Sequence, residues 1–208
     1  MKVAVLFAVI AVLACTVSGA FAAPAATSQT WRFDTNSNPA APELLDNIYG
    51  PPSAAITVDQ NGTGWQDTDP VVYGSAQGWW DIGTGSIVLT IPNRPDAGPD
   101  TYKDITVWVK YWNEMTGAPG VQVSPTPLSS SVISESLGDK AWWKDTWSFH
   151  IEPNPDYETI TLTGLAEIGA QIDEIRVDTV CVPEPGSLMV LCSGLLGVVG
   201  FAVRRKRA

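Results

Sequence analysis

The sequence holds a single histidine, His150, so it offers one ordinary candidate for proton transfer near neutral pH. This residue lies between Phe149 and Ile151, and the alternation of side chains along a strand would turn it away from the core. A Ser-His-Asp triad also needs a positioned nucleophile, and the sequence lacks the Gly-x-Ser-x-Gly segment of a nucleophile elbow. We therefore predict no catalytic residue and place His150 on a solvent-facing surface.

Tryptophan is abundant, with nine residues in 208. Flat indole rings can stack on sugar rings when they are exposed, but tryptophan is also a large core residue, and Trp31 and Trp147 are predicted to fill the core. Trp108 and Trp112 share the polar face of one predicted strand. Five others stand beside glycine or in turn-like segments, which favours glycan stacking: Trp65, Trp79, Trp80, Trp142 and Trp143.

Oxygen-bearing side chains crowd one turn region, and calcium prefers oxygen ligands. The spacing is not that of an EF-hand, because Pro70 would occupy its twelfth position. Asp34 and Asp178 are a second candidate pair if the first and last strands are neighbours. The alternative is that all these are ordinary turn residues. A structural calcium ion is the one cofactor that the sequence suggests, and its predicted ligands are Asp59, Asn61, Asp67 and Asp69.

The charge of the chain excludes one class of partner. The formal net charge is −10, and residues 23–182 alone carry seven basic and 21 acidic side chains, a net of −14. Such a surface repels phosphate, so no nucleic-acid partner is expected. The acidic residues leave open a pair of glycosidase carboxylates, because only their separation across a cleft would define one.

The elements that must position these residues are short strands. Apolar and polar residues alternate in segments separated by Gly, Pro, Asn and Asp, which is typical of antiparallel sheets with one covered face. Residues 42–48 suggest a helical turn, and 92–101 and 115–136 are predicted to be long loops. We predict an all-β, two-layer sandwich of jelly-roll or galactose-binding-like type with eight or nine strands. The predicted strands are 30–33, 54–58, 71–73, 79–82, 86–91, 104–112, 146–152, 158–163 and 171–180.

The amino-terminal residues 1–22 are predicted to be a secretory signal peptide. Lys2 precedes an apolar run over 3–15, and the small-residue segment 20–23 offers a cleavage position after Ala22. An alternative is a lipoprotein signal in which Cys15 is acylated. Either one directs the chain to the secretion machinery.

The carboxyl-terminal residues predict a membrane span. Residues 186–203 carry no charge, and 18 helical residues extend about 27 Å, close to the hydrocarbon core of a bilayer. Four consecutive cations follow, and they are expected to stay on the cytoplasmic side. The span would hold the precursor in the membrane. The cations are Arg204, Arg205, Lys206 and Arg207.

The segment before this span is Pro183, Glu184 and Pro185. A Pro-Glu-Pro motif, one apolar helix and a terminal basic cluster, in that order, resemble the PEP-CTERM sorting signal over residues 182–208. Lys206 departs from an all-Arg cluster. The resemblance implies a Gram-negative-type bacterium, processing near the motif by an exosortase, and association with exopolysaccharide. It implies nothing about the activity of the preceding domain.

The sequence therefore divides into a signal peptide (1–22), an extracellular sandwich (23–181) and a sorting signal (182–208). Cys181 is the one cysteine between the two end segments, so the domain lacks an internal disulfide and this thiol would pair between chains or simply end a strand. Three functions are expected in order: a non-catalytic, exopolysaccharide-associated surface protein, a carbohydrate-binding module, and a small glycan-active enzyme.

Overall fold

A computed structural model describes residues 25–67, 74, 78–93, 101–113, 116–166 and 168–183. Within these ranges the regular structure is entirely β, as the alternating pattern predicted. The strands are β1 (Ala25–Trp31), β2 (Leu44–Asp46), β3 (Ser53–Thr57), β4 (Gly64–Asp67), β5 (Gly78–Gly83), β6 (Ser86–Pro92), β7 (Thr101–Trp112), β8 (Gly120–Ser124), β9 (Ser129–Ser136), β10 (Trp142–Ile151), β11 (Tyr157–Thr163) and β12 (Ala170–Pro183).

The strands form two antiparallel sheets. The larger sheet has the order β2-β1-β12-β7-β10-β9, and β5 pairs with both β12 and β4 beside this path. The smaller sheet has the order β3-β6-β11-β8. Chain neighbours such as β6 and β7 therefore lie in different sheets, which is the arrangement of a sandwich with crossing connections.

The core lies between the sheets because each contributes one apolar face. The smaller sheet buries Ala54, Ile56, Ile87, Leu89, Ile91, Val121, Val123, Ile160 and Leu162. The larger sheet buries Trp31, Ile105, Val107, Val109, Tyr111, Phe149, Ile151, Ile175 and Val177. The predicted inward faces of the strands in 54–58, 86–91, 104–112 and 158–163 are thus confirmed, with Val58 packed at the core margin.

Three expectations about local structure were wrong. The predicted helical turn at 42–48 contains β2, which pairs with β1 through Ser28 and Asp46. The predicted loop at 115–136 contains β8 and β9. Together with β4, a fourth strand that was not predicted, these additions raise the number of strands in the described ranges to twelve, above the eight or nine expected, and the predicted strand at 71–73 lies outside those ranges. All four missed strands lie at sheet edges. β2, β4 and β9 have no buried residue, so the alternation that reveals a strand is weak in them, whereas β8 alternates and was missed because Pro, Ser and Gly dominate the segment around it.

The last strand lies inside the larger sheet. β12 pairs with β1 over seven residues, from the Ile175–Trp31 pair to the Cys181–Ala25 pair. On its other side it pairs with β7 as far as Pro183. Cys181 is buried and contributes its thiol to the interior, with Sγ 3.5 Å from Oδ1 of Asn154. The strand continues to the first residue of the Pro-Glu-Pro segment.

The end segments predicted from the sequence fall outside the described ranges. They are the signal peptide (1–22), with Cys15, and the transmembrane helix (186–203) with its basic cluster. Among the residues that are described, no helix is long and apolar enough to span a bilayer.

Candidate functional site

The outer face of the larger sheet carries its polar side chains in rows across the strands. Residues opposite one another on antiparallel strands project to the same side. Asp104 of β7 therefore stands beside His150 of β10, and Thr106 stands beside Ser148. On the far side of β10, Ser148 and His150 are opposite Ser131 and Ser129 of β9.

These side chains line a shallow, open groove of about 420 Å³. Serine and threonine hydroxyls both donate and accept hydrogen bonds, and a carboxylate adds strong acceptors. The lining therefore offers hydrogen-bond partners to a ligand that carries hydroxyl groups. The polar residues lining the groove are Asp104, Thr106, Ser129, Ser130, Ser131, Ser148 and His150.

His150 is fixed in orientation at one end of the groove. Its Nδ1 lies 2.7 Å from Oδ1 of Asp104, and its Nε2 is 4.0 Å from Oε2 of Glu152. The ring of Tyr102 lies over it at a centroid distance of 4.9 Å with a tilt of 45°. His150 is partly exposed on the outer face, as the strand alternation predicted.

The geometry around His150 does not form a catalytic triad. The imidazole nitrogen that would take a proton from a nucleophile is Nε2, and it faces Glu152. No serine hydroxyl in the described ranges hydrogen-bonds to this ring. The imidazole also stands between the carboxylates of Asp104 and Glu152, where the oxygen of a scissile glycosidic bond would have to fit.

A second polar row extends from the groove across three strands. The Ser28 hydroxyl donates to Oδ1 of Asp178 at 2.6 Å, and the guanidinium of Arg176 reaches both oxygens of that carboxylate at 3.1 and 2.9 Å. The hydrogen bond to Asp178 raises the pKa of Arg176 above its ordinary value. Arg176 in turn lies over the ring of Trp108, so this indole has one face covered by a cation.

Three of the five tryptophans predicted to stack on glycans are interior residues instead. Trp79 and Trp142 are 3% and 0% exposed and pack with Trp112 in a separate cluster, where the Trp112 and Trp142 rings meet edge to face at 5.2 Å. Trp80 is 6% exposed and belongs to the main core. A buried indole presents no face to a sugar, so these three are corrected to packing residues.

The other tryptophans lie at the margin of the core. Trp65 and Trp143 are partly buried against it, and the Trp65 indole donates to the carbonyl of Phe33 at 2.9 Å. Trp31 is fully buried, which confirms its predicted core position. Trp147 is partly buried and stacks on Phe149 at 6.0 Å.

The predicted calcium ligands are not brought together in the described ranges. The carboxylate of Asp59 accepts hydrogen bonds from the backbone N–H groups of Asn61 and Thr84, at 2.9 and 3.2 Å, and from the Thr84 hydroxyl. Asp67 stands at the far end of β4, opposite Gly78, and Asp69 lies outside the described ranges. No group of three or more His, Cys, Asp or Glu side chains in these ranges is arranged for a metal. The calcium site stays a prediction.

The alternative pair of calcium ligands is also separated. β1 and β12 are neighbours, as that idea required, but Asp178 is opposite Ser28. Asp34 lies three residues beyond the end of β1, after Phe33, whose φ of 55° turns the chain out of the strand.

Sequence reasoning missed a buried polar group at one end of the sandwich. Lys103, Glu158 and Asn93 are 0%, 0% and 4% exposed and contact one another between the two sheets. The alternation along the strands could have predicted their burial. Lys103 is two residues before inward-facing Ile105, and Glu158 is two residues before inward-facing Ile160, so both point to the core.

The comparisons with known proteins identify the end of the chain. Residues 182–206 match the family model described as the PEP-CTERM protein-sorting motif. The chain therefore carries this sorting signal, which indicates export and sorting by an exosortase. No curated protein sequence matches the chain.

Several of the solved structures that resemble the sandwich are family 35 carbohydrate-binding modules. One from Cellvibrio japonicus is 14% identical with a TM-score of 0.37, covering 72% of this chain and 91% of that one. One from Clostridium thermocellum is 16% identical with a TM-score of 0.37, covering 60% and 97%. One from Paenibacillus barcinonensis is 18% identical with a TM-score of 0.35, covering 56% and 89%. These values describe a distant likeness in architecture alone.

Proposed function

We propose that this protein is a non-catalytic, exopolysaccharide-associated protein of the cell surface, whose sandwich holds glycan on the outer face of its larger sheet. An exosortase-type enzyme would process the precursor near Pro183, Glu184 and Pro185 after secretion. The sorting motif at 182–206 supports the export route. The glycan ligand is supported by the groove.

The observation that carries the glycan proposal is the composition of the groove. Hydroxyl groups from three adjacent strands line it, together with the Asp104 carboxylate and the imidazole of His150. Tyr102 lies on the same part of the sheet with its ring against the imidazole, while the Trp108 ring has one face covered by Arg176. The net charge of −14 over residues 23–182 favours a neutral polysaccharide, because a polyanionic one would be repelled.

The same geometry supports binding without cleavage. A glycosidase holds two carboxyl groups about 5–10 Å apart with a sugar between them. Here the imidazole of His150 occupies the space between Asp104 and Glu152, and both carboxylates are exposed to water. This geometry supports the holding of a sugar chain over its hydrolysis.

The binding test uses native affinity electrophoresis of the purified chain through gels that contain neutral and acidic polysaccharides. Ser148→Trp would fill the groove, and Lys144→Trp places the same ring on the same strand and face, four residues away and outside the lining. We expect retardation by a neutral polysaccharide for the unmodified chain and for Lys144→Trp, with at least about tenfold weaker binding for Ser148→Trp. Equal retardation of both variants, or none for the unmodified chain, would contradict the proposal.

The sorting route has its own test. Replacing Pro183, Glu184 and Pro185 with alanine removes the recognition segment and leaves the apolar stretch and the basic cluster intact. We expect the variant to stay in the membrane fraction at precursor mass, while the unmodified chain is shortened at its carboxyl end. Identical masses for the two chains would contradict the processing step.

A further inference from the structure

A lysine and a glutamate that are both fully buried join the two sheets at one end of the sandwich. Lys103 is near the start of β7 in the larger sheet, and Glu158 is near the start of β11 in the smaller one. Nζ lies 2.7 Å from Oε1 and 2.8 Å from Oε2, and neither side chain is exposed to solvent. Burying two charges costs desolvation free energy unless other groups compensate. The other contacts of Lys103 and Glu158 therefore show what offsets this cost.

The third member of this group is the side-chain amide of Asn93, which follows β6 directly. Its Oδ1 accepts a hydrogen bond from Nζ of Lys103, and its Nδ2 donates to the carbonyl of Pro155 at 2.8 Å. Its side chain also lies close enough to Glu158 to affect the pKa of that carboxyl group, and its backbone N–H donates to the carbonyl of Asp156 at 3.1 Å. The amide is therefore held in one orientation, with an amine at its carbonyl and a carboxyl group beside both.

Burial shifts the two titratable groups toward their neutral forms. Loss of water raises the pKa of Glu158, and the same effect lowers the pKa of Lys103. An uncharged amine has a free electron pair and is a nucleophile, and a carboxyl group that exchanges its proton easily can serve as both acid and base. Reacting groups held in contact gain much of their rate from that placement alone.

We propose that Lys103 and Asn93 form an intramolecular isopeptide bond, with Glu158 carrying the proton. Nζ of Lys103 attacks Cγ of Asn93, and Glu158 takes a proton from Nζ and delivers it to Nδ2. The bond between Cγ and Nδ2 then breaks and ammonia leaves. An amine and a primary amide become a secondary amide and ammonia, so the step balances without an oxidant, a reductant or a cofactor.

The bond would supply a cross-link that the cysteines cannot. Of the three cysteines, only Cys181 lies between the two end segments, so an internal disulfide is not available to the sandwich. The isopeptide would link the end of β6 in the smaller sheet to the start of β7 in the larger sheet. This inference does not depend on the glycan proposal, because Lys103, Asn93 and Glu158 lie in the interior and not on the outer face.

The test is peptide mass mapping of the full chain, digested with trypsin in denaturant. Trypsin cuts after lysine and arginine but not before proline, so Arg94, which precedes Pro95, stays uncut. An unmodified chain releases peptide 33–103. We expect instead peptide 33–110, uncut at Lys103 and lighter than its sequence by one ammonia molecule. Lys110 is the internal control and should be cut in every sample.

Two variants test the roles of Glu158 as proton carrier and of Asn93 as the group attacked. Glu158→Gln keeps the size of the side chain but not the proton transfer, so we expect cleavage at Lys103 and the full sequence mass. Asn93→Asp should still form the bond by losing water, which gives a product with the mass of the unmodified chain's product. Circular dichroism checks that each variant is folded, and the result for the unmodified chain stands without them.

Two outcomes would overturn the inference. One is release of peptide 33–103 at full mass from the unmodified chain. The other is peptide 33–103 that is lighter by ammonia yet ends at Lys103, since that pattern means that an asparagine has cyclised onto its own backbone and the amine of Lys103 is still available.

Discussion

The guanidinium carbon of Arg176 lies 5.1 Å from the centroid of the Trp108 ring, on the outer face of the larger sheet. Asp178, two residues along β12, holds the guanidinium in this position with two hydrogen bonds. The arrangement gives an exposed arginine one ordered place, and it shields the indole beside the groove. A cation over an aromatic ring at a surface adds modest stability.

Replacing Arg176 with alanine removes this contact together with the ion pair to Asp178. We expect the free energy of unfolding in urea to fall by about 0.5–1 kcal/mol. Lys144→Ala is the control, because Lys144 forms an ion pair with Glu135 on the same sheet. Its loss should be smaller, at most about 0.5 kcal/mol. Equal losses would show that the ring contributes nothing.

Trp142→Ala should be among the most destabilising changes in the chain. Trp142 is fully buried, touches the Trp112 ring edge to face, and has the ammonium of Lys110 at 5.1 Å from its ring. Removing so large a core side chain costs about 3–5 kcal/mol, measured by chemical denaturation. Ile133→Ala, at a position 71% exposed, should change stability by less than about 0.5 kcal/mol. Little effect of Trp142→Ala would mean that its ring is not packed in the interior.

Gly83 cannot accept a side chain for two separate reasons. Its φ is 57°, a left-handed conformation, and an added Cβ would overlap Oδ1 of Asp59 and lie 2.5 Å from the backbone nitrogen of Gly62. Gly138 separates the two effects, since its φ is 69° but an added Cβ would meet no atom within 4 Å. We expect Gly138→Ala to cost about 1–2 kcal/mol from the backbone alone and Gly83→Ala to cost clearly more. Thermal unfolding of both variants gives the comparison, and equal costs would contradict the clash.

Asp59 should make stability depend on pH in acid. The Thr84 hydroxyl, which donates to its carboxylate, lowers the pKa of Asp59 below its ordinary 3.8, with help from the backbone N–H groups of Asn61 and Thr84. A lowered pKa of a carboxyl group means stabilisation that is present above pH 3.8 and lost as the pH falls through the folded-state value. The difference in unfolding free energy between the unmodified chain and Asp59→Asn should therefore shrink in that interval. Urea titrations at several pH values measure it, and a difference independent of pH would contradict it.

Period-two alternation predicted the covered faces of the sheets well. Ile87, Leu89 and Ile91 alternate cleanly because β6 lies between β3 and β11 and has one face in the core. The strand β9 is exposed along its whole length at the edge of the larger sheet, so its Ser-rich sequence had no alternation to detect. β2 is likewise short and exposed, and a local pattern could not reveal its pairing with β1.

The candidate site was only partly predictable. The outward direction of His150 followed from its place between Phe149 and Ile151, but its contact with Asp104 depends on the pairing of β10 with β7, which local sequence does not contain. The burial of Trp142 depends on the same pairing, because it brings Trp142 opposite Trp112. Turn-like neighbours in the sequence predicted that the Trp142 indole is exposed. Its burial follows from the register between strands that are distant in the sequence.

The position of β12 has a mechanical consequence. This strand ends at Pro183, the first residue of the sorting segment, and it is bonded along its length to β1 on one side and β7 on the other. Tension applied at Pro183 along the strand would load both rows of hydrogen bonds in shear, so they would have to rupture together and not one after another. A load transmitted from the cell surface would thus enter the domain at a strand that is held by a neighbour on each side.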